Sequence, residues 1–358
     1  MNKYFKGLSG FLISAMLVLF CMFLITNQVS IRQSVIDAID RCMNVIIPSL
    51  FAFMALSGII TSSGAYITIS KPFFWLSYIT GIPKDLLCVF FISNIAGYPV
   101  GAKLISDLKD KGLIDNHSAK TMLCFCYGAG PAFLVSVAGL ALYGNAKIGV
   151  FIFVSCALSN LIIASVLCRI KKPRVETVQN HFSITAQMLN DSVLSAGKSL
   201  FGICLMIVFF SAIVAILDEC GCLNWIADFL PVSNSECLVK SMFEISSITQ
   251  ITRIPYSYIP IISGICSFGG VCVLLQTSSV VGGRFSIKPF LLIRPVASLL
   301  SAFNSYWLCR FMLPDNLTAV SSNQQIFVKV YNFIPSVCLI LMIFLLKIKK
   351  RVAFSSQL

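Results

Sequence analysis

Charge is what this sequence lacks most. Only 11% of its 358 residues are Asp, Glu, Lys or Arg, less than half the share of about 25% found in soluble domains. That scarcity excludes an ordinary water-soluble globular protein. Histidine is nearly absent too, with His117 and His181 the two examples. The 15 cysteines therefore have few partners for a metal. Cys124/Cys126 and Cys220/Cys222 are close pairs, but zinc needs four ligands, or three and a water. Most other cysteines lie in apolar stretches, where the thiol behaves as a small hydrophobe. Enzyme motifs are missing as well: no Walker lysine loop, no H-E-x-x-H, no G-x-S-x-G, and no Ser/His or Asp/Asp pair placed for intramembrane proteolysis. The sequence predicts neither an enzyme nor an ATP-driven pump, and no bound metal or cofactor.

Long uncharged runs are present instead: Gly7–Ser30, Cys42–Ser70, Thr121–Ala146, Ile148–Cys168, Ser199–Leu217, Ile254–Gly283 and Val330–Leu346. Mean hydropathy is +0.89. A helix crosses the hydrocarbon core with roughly 20 apolar residues, so an integral membrane protein in contact with lipid is expected. The net charge of +13 reads as cytoplasmic anchoring of spans rather than as a nucleic-acid surface. Lys3 and Lys6 precede an apolar run longer than a signal-peptide core, which predicts a retained first helix.

Simple alternation of spans puts the basic stretches Lys103–Lys120 and Arg169–Arg174 on opposite sides of the membrane. The conflict disappears if Pro72–Pro83 and Asp85–Ala102 form a re-entrant hairpin. The predicted architecture is all-α. It has about eight transmembrane helices, near 11–29, 45–64, 120–143, 148–168, 199–217, 257–281, 290–312 and 329–346. A second re-entrant hairpin covers about 222–252, and both termini are cytoplasmic. A weak repeat supports the plan: Pro48-Ser-Leu-Phe51 is echoed by Lys198-Ser-Leu-Phe201, with Trp75 and Trp225, and then a Gly-interrupted span, following in each half. The two halves start on opposite sides, so the repeat is inverted. Inverted repeats with interrupted spans mark transporters, and the breaks point to the binding site. The expected segments are an N-terminal helix (1–30), a first repeat (31–170), a cytoplasmic linker (171–198), a second repeat (199–285), and C-terminal helices with a basic tail (286–358).

The breaks supply the candidate binding residues. Ser93-Asn-Ile-Ala-Gly-Tyr-Pro-Val-Gly-Ala-Lys103 places Gly97, Pro99 and Gly101 in an apolar stretch. Interrupted backbone in a bilayer needs hydrogen-bond partners or a polar cavity, and Asn94 and Tyr98 offer them; the alternative is a plain turn. Lys103 is either a ligand contact or a side chain that snorkels to the interface. Tyr127, Gly128, Gly130 and Pro131 form the second break, where small residues also permit close helix packing. Glu244 is an intramembrane carboxylate, a costly feature that usually serves function. It would bind substrate or a coupling proton or sodium ion, unless it pairs with Lys240 one turn back. Ser246, Thr249 and Gln250 stand beside it. Gly269 and Gly270 break the last interrupted span, and Gln276 follows. Asp218 and Glu219 read as a solvated helix end.

Ala96-Gly-Tyr-Pro-Val-Gly-Ala-Lys103, Gly128-Ala-Gly-Pro-Ala-Phe133, Phe243-Glu-Ile245 and Phe268-Gly-Gly-Val-Cys-Val-Leu-Leu-Gln276 resemble the YlbJ-type sporulation integral membrane proteins. That family belongs to a wider group with a nucleoside-recognition, or gate, domain, similar to the core of concentrative nucleoside transporters. The likeness covers roughly residues 30–310. It implies a multi-pass cell-membrane protein of a spore-forming bacterium, needed for spore (cortex) formation. The inverted repeat and its breaks, rather than the likeness, carry the expectation of a secondary-transporter-like protein that moves or senses a small polar, nucleoside-like metabolite, with other sporulation membrane proteins as candidate partners. A non-transporting scaffold in a spore-assembly complex is the alternative.

Overall fold

The computed structural model describes residues 14–15, 17–18, 20–175, 183–229, 234–251 and 254–312. Residues 1–322 form one compact unit and 323–358 another; the second, with the expected crossing at 329–346, lies outside the described residues, as does most of the stretch before residue 20.

The described residues are helical, with no strand beyond one isolated bridge between Ile114 and Val175. Helix α1 (Gln28–Arg41) fills the polar interval between the first two expected crossings and continues through a wider turn, Cys42–Ile46, into α2 (Ile47–Ser63). Gly64 stops α2 in the left-handed region, at φ +76°, which costs glycine nothing and other residues strain. There the chain bends by 99° into α3 (Ala65–Ser70) and α4 (Phe74–Thr80). Next come α5 (Leu87–Ala96), α6 (Val100–Asp110) and α7 (Asn116–Leu123). Asp115 caps α7 by accepting from the Ser118 N–H at 2.8 Å. Helix α8 (Pro131–Ala141) opens on proline, which suits a first turn because its missing N–H has no partner there anyway. The expected crossing at 120–143 is thus made of two short helices joined by unwound backbone.

Helix α9 (Ala146–Lys171) starts at Asn145, whose side chain accepts from the Lys147 N–H. The longest helix, α10 (Ala186–Glu219), is capped by Thr185 and begins inside the stretch expected to link the repeats. Shorter pieces follow: α11 (Cys222–Asp228), α12 (Ser235–Phe243) and a tight turn, Ile245–Gln250. Gly269 separates α13 (Ile259–Phe268) from α14 (Gly270–Val281), and α15 (Lys288–Met312) completes the unit.

Among the described residues, three stretches are long and apolar enough to cross a membrane: Ala146–Lys171, Ala186–Glu219 and Tyr256–Val281; the bent pair Leu50–Ser63 and Ala65–Thr80 would add a fourth. Phe201, Leu205 and Phe209 recur at four-residue steps on α10 and are all exposed. In water that stripe is a liability; against lipid it is the expected surface. Inside, small polar groups join helices, as hydroxyls and amides do in hydrocarbon. Ser263 of α13 and Ser301 of α15 share a 2.7 Å hydroxyl contact, and Asn304 of α15 donates to Ser159 of α9 at 3.0 Å.

Candidate functional site

The interruptions foreseen at Gly97, Gly130 and Gly269 meet in space, and a fourth adjoins them. Between α5 and α6, Gly97 has φ +86°, and the Tyr98–Pro99 peptide is cis. A Cβ at Gly97 would lie 2.9 Å from the Gly130 nitrogen, and one at Gly101 would lie 2.1 Å from the Cys126 carbonyl oxygen. Glycine is required here for close approach, because real side chains do not fit such gaps. The Tyr98 ring stacks on Tyr127, centroids 5.0 Å apart. The Tyr127 hydroxyl then donates to the Phe268 carbonyl at 3.1 Å, and a Cβ at Gly269 would sit 2.1 Å from that hydroxyl oxygen. Gly270 rests against the carbonyl oxygens of Ser241, Met242 and Phe243, the last residues before Glu244. Four breaks in the helices thereby form one joint.

Unwound backbone at membrane depth must find partners, and side chains supply them. Asn94 donates to the Phe90 carbonyl and accepts from Asn160, both at 2.8 Å. The same Asn160 amide donates to the Tyr127 carbonyl at 2.7 Å; Gly128 leaves room beside these two amides. Arg294 of α15 is 0% exposed. Its guanidinium donates to the carbonyls of Cys124 and Tyr127 and lies over the Tyr127 and Phe290 rings, 4.8 and 5.4 Å from their centroids. A cation is well suited to the negative ends of unwound carbonyls and to ring faces. The joint is closely packed, although the Tyr98 hydroxyl, Asn160 Oδ1 and Arg294 Nε are left without partners among the described residues.

Other candidates lie apart from these contacts. Lys103, only 6% exposed, pairs with Asp107 one turn along α6, and so points no free charge at the joint. Gln276 donates to the Cys272 sulfur at 3.2 Å. Thr249 is exposed and bonds back to the Ser246 carbonyl. The Gln250 side chain, like Arg253, lies outside the described residues.

Glu244 faces a different space. The Lys240 pairing considered from sequence is not made: the Lys240 amine sits 2.8 Å from Asp218 and 2.6 Å from Glu236 instead. Glu244 accepts from the backbone N–H and the hydroxyl of Ser246 and borders a cavity of about 100 Å³ with Asp37, Arg41, Asp218, Lys240 and Ser247. Asp218 is therefore part of a cavity wall, where sequence suggested only a solvated helix end. A larger cleft, about 570 Å³, lies by Lys120, Arg284 and Lys288. It contains none of the candidate residues, and its Arg284 is already held by Asp110 at 2.7 Å.

Four participants escaped the sequence reading: Asn160, Arg294, Asp37 and Arg41. Arg294 carried the same signal as Glu244, a charge within an apolar run. Asp37 and Arg41, four residues apart, carried the i, i+4 spacing of one helix face. Asn160 offered only a lone amide in a long span.

No family model matches the chain, and no solved structure does. One curated relative is informative. The chain is similar to the sporulation integral membrane protein YlbJ of Bacillus subtilis strain 168, 23% identical over 329 residues that cover 79% of each chain. That likeness agrees with the long apolar helices and their lipid-ready faces: this is a helical integral membrane protein.

Proposed function

We propose that the protein serves spore formation as a secondary-transporter-like membrane protein. It moves or senses a small polar metabolite, of nucleoside-like or comparable polarity, where its broken helices meet. The observation that carries this reading is the convergence of four helix breaks on one joint beside a charged cavity. Broken helices placed around polar space are how transporters bind ligands in hydrocarbon. The contacts across the joint also suit motion. The Tyr98–Tyr127 side meets the Phe268–Gly270 side through one tyrosine hydrogen bond and glycine packing, so parting them breaks no continuous helix. The spore setting is supported by the relative, a sporulation integral membrane protein. A proton or sodium ion acting at Glu244 would couple the movement.

Thermal stabilisation of the purified protein tests the reading, using nucleosides, bases and amino acids, with and without sodium, at two pH values. A ligand at 100 times its Kd adds about 2.7 kcal/mol. A hit that is lost in Glu244→Gln supports a transporter or sensor. Silence from a well-folded protein favours a non-transporting scaffold in a spore-assembly complex. That second reading is favoured by the joint itself, whose broken backbone is largely satisfied from within.

A further inference from the structure

The charged cavity has a composition that the joint does not explain. Ser34, Asp37 and Arg41 line it from one face of α1, and Asp218 closes it from the end of α10. Lys240 and Glu244 complete it, one helical turn apart in sequence. The space runs from an exposed residue, Asp37, to Glu244, which is 8% exposed.

These charges are not equally engaged. Lys240 is neutralised by Asp218 and by Glu236, which stands outside the cavity. Asp37 accepts from Gln33 at 2.8 Å. Glu244 holds two bonds from Ser246, leaving acceptor capacity on a carboxylate that offers about four lone-pair sites. Arg41 forms no ion pair and no side-chain hydrogen bond among the described residues, and its Nε is buried with no acceptor. A buried donor without a partner is costly, and a guanidinium is shaped for a planar carboxylate. The cavity therefore offers one unspent cation and two incompletely engaged carboxylates.

We infer that this cavity binds a small zwitterion, a short-chain α-amino acid, with its carboxylate on Arg41 and its ammonium on Glu244 and Asp37. Size argues the same way. About 100 Å³ is the space of roughly three waters at about 30 Å³ each, which matches an amino acid of glycine-to-serine size. Drug-sized ligand pockets start at about 300 Å³, and a nucleoside belongs in that larger class. The inference rests on the proposed reading of a small-ligand membrane protein and names its substrate class.

The test is binding of glycine, alanine and serine to the full-length protein in lipid nanodiscs, followed by calorimetry. N-acetylalanine, alanine methyl ester, uridine and sodium chloride are run in parallel. The expected result is saturable binding of the free amino acids. Blocking either charge should weaken binding about tenfold or more, the scale of one charge-assisted hydrogen bond. Arg41→Gln and Glu244→Gln should each lose binding to the same degree, while Arg41→Lys keeps part of it and checks that the fold survives. Binding of uridine alone overturns the zwitterion and leaves the transporter-like reading standing. A response to sodium chloride alone makes the cavity an ion site and overturns the inference. Amino-acid binding untouched by both Gln variants places the ligand elsewhere. No binding by any compound overturns the inference and the small-ligand reading together.

Discussion

Arg294 and Arg41 are the same side chain put to opposite uses. At the joint, Arg294 is fully buried and donates to two carbonyl oxygens of its own fold. At the cavity, Arg41 donates to none among the described residues, and the carboxylates that line the space with it are Asp37, Asp218 and Glu244. The first arrangement offsets the cost of unwound helix; removing it should harm folding. The second leaves interaction capacity unspent; removing it should harm binding alone. The difference separates a supporting polar network from a receiving one, and stability measurements can distinguish the two.

The largest effect is expected at the glycine contacts. Gly101→Val forces atoms into the Cys126 carbonyl, where even a Cβ would be 2.1 Å away. Overpacking of that kind costs more than about 3 kcal/mol, and size-exclusion of the solubilised variant should show little folded protein. Arg294→Met comes next. It keeps the bulk but strips the carbonyls of Cys124 and Tyr127 of their donor, for a loss of about 3 kcal/mol read as a lowered Tm. Tyr127→Phe removes only the bond to the Phe268 carbonyl. It should cost about 1 kcal/mol and, if that bond latches the joint, raise the transport rate of any ligand found. Arg41→Met should be neutral or mildly stabilising, because it relieves a buried donor with no acceptor among the described residues and replaces it with apolar bulk. If Arg41→Met instead destabilises as much as Arg294→Met, the contrast between the two regions collapses.

A control outside both regions is the cap of α7. Asp115→Ala should cost about 1 kcal/mol. Burial pushes the Asp115 carboxyl up, but hydrogen bonds from Ser118 outweigh it and hold the group below its ordinary value. A carboxyl lowered by folding contributes stability above its unfolded value of about 3.9 and loses it as pH falls through the lower folded value. The variant and the parent should therefore converge in Tm only in strong acid.

The breaks themselves were legible because glycine and proline are out of place in an apolar run: Gly97, Pro99, Tyr127–Pro131 and Gly269 all stand where helix is interrupted. Their meeting point was not legible. It depends on which helices pack together, and one sequence without tertiary contacts does not encode that in any local pattern. Residues joined through long-range bonds were missed for the same reason. Asn160 looks like any amide in a span until Asn94 and the Tyr127 carbonyl are brought to it. Lys103 was misjudged in the other direction, since its pairing with Asp107 sits four residues away and was available from spacing alone. Asp37 and Arg41 were lost to topology: they stand in the polar interval between two expected crossings, to which the sequence reading gave no element, while the chain continues as helix through it.

Helix α10 has 34 residues, about 51 Å at 1.5 Å per residue, against roughly 30 Å of hydrocarbon. Much of its length must stand clear of the oily layer or lean steeply within it. Its Ser211 and Asp218 reach the charged cavity, while the opposite end starts at Thr185. In an unbroken rod of that length, each degree of lean would shift one end relative to the other by about 1 Å, a displacement on the scale that alters the width of a pocket lined by Ser211 and Asp218.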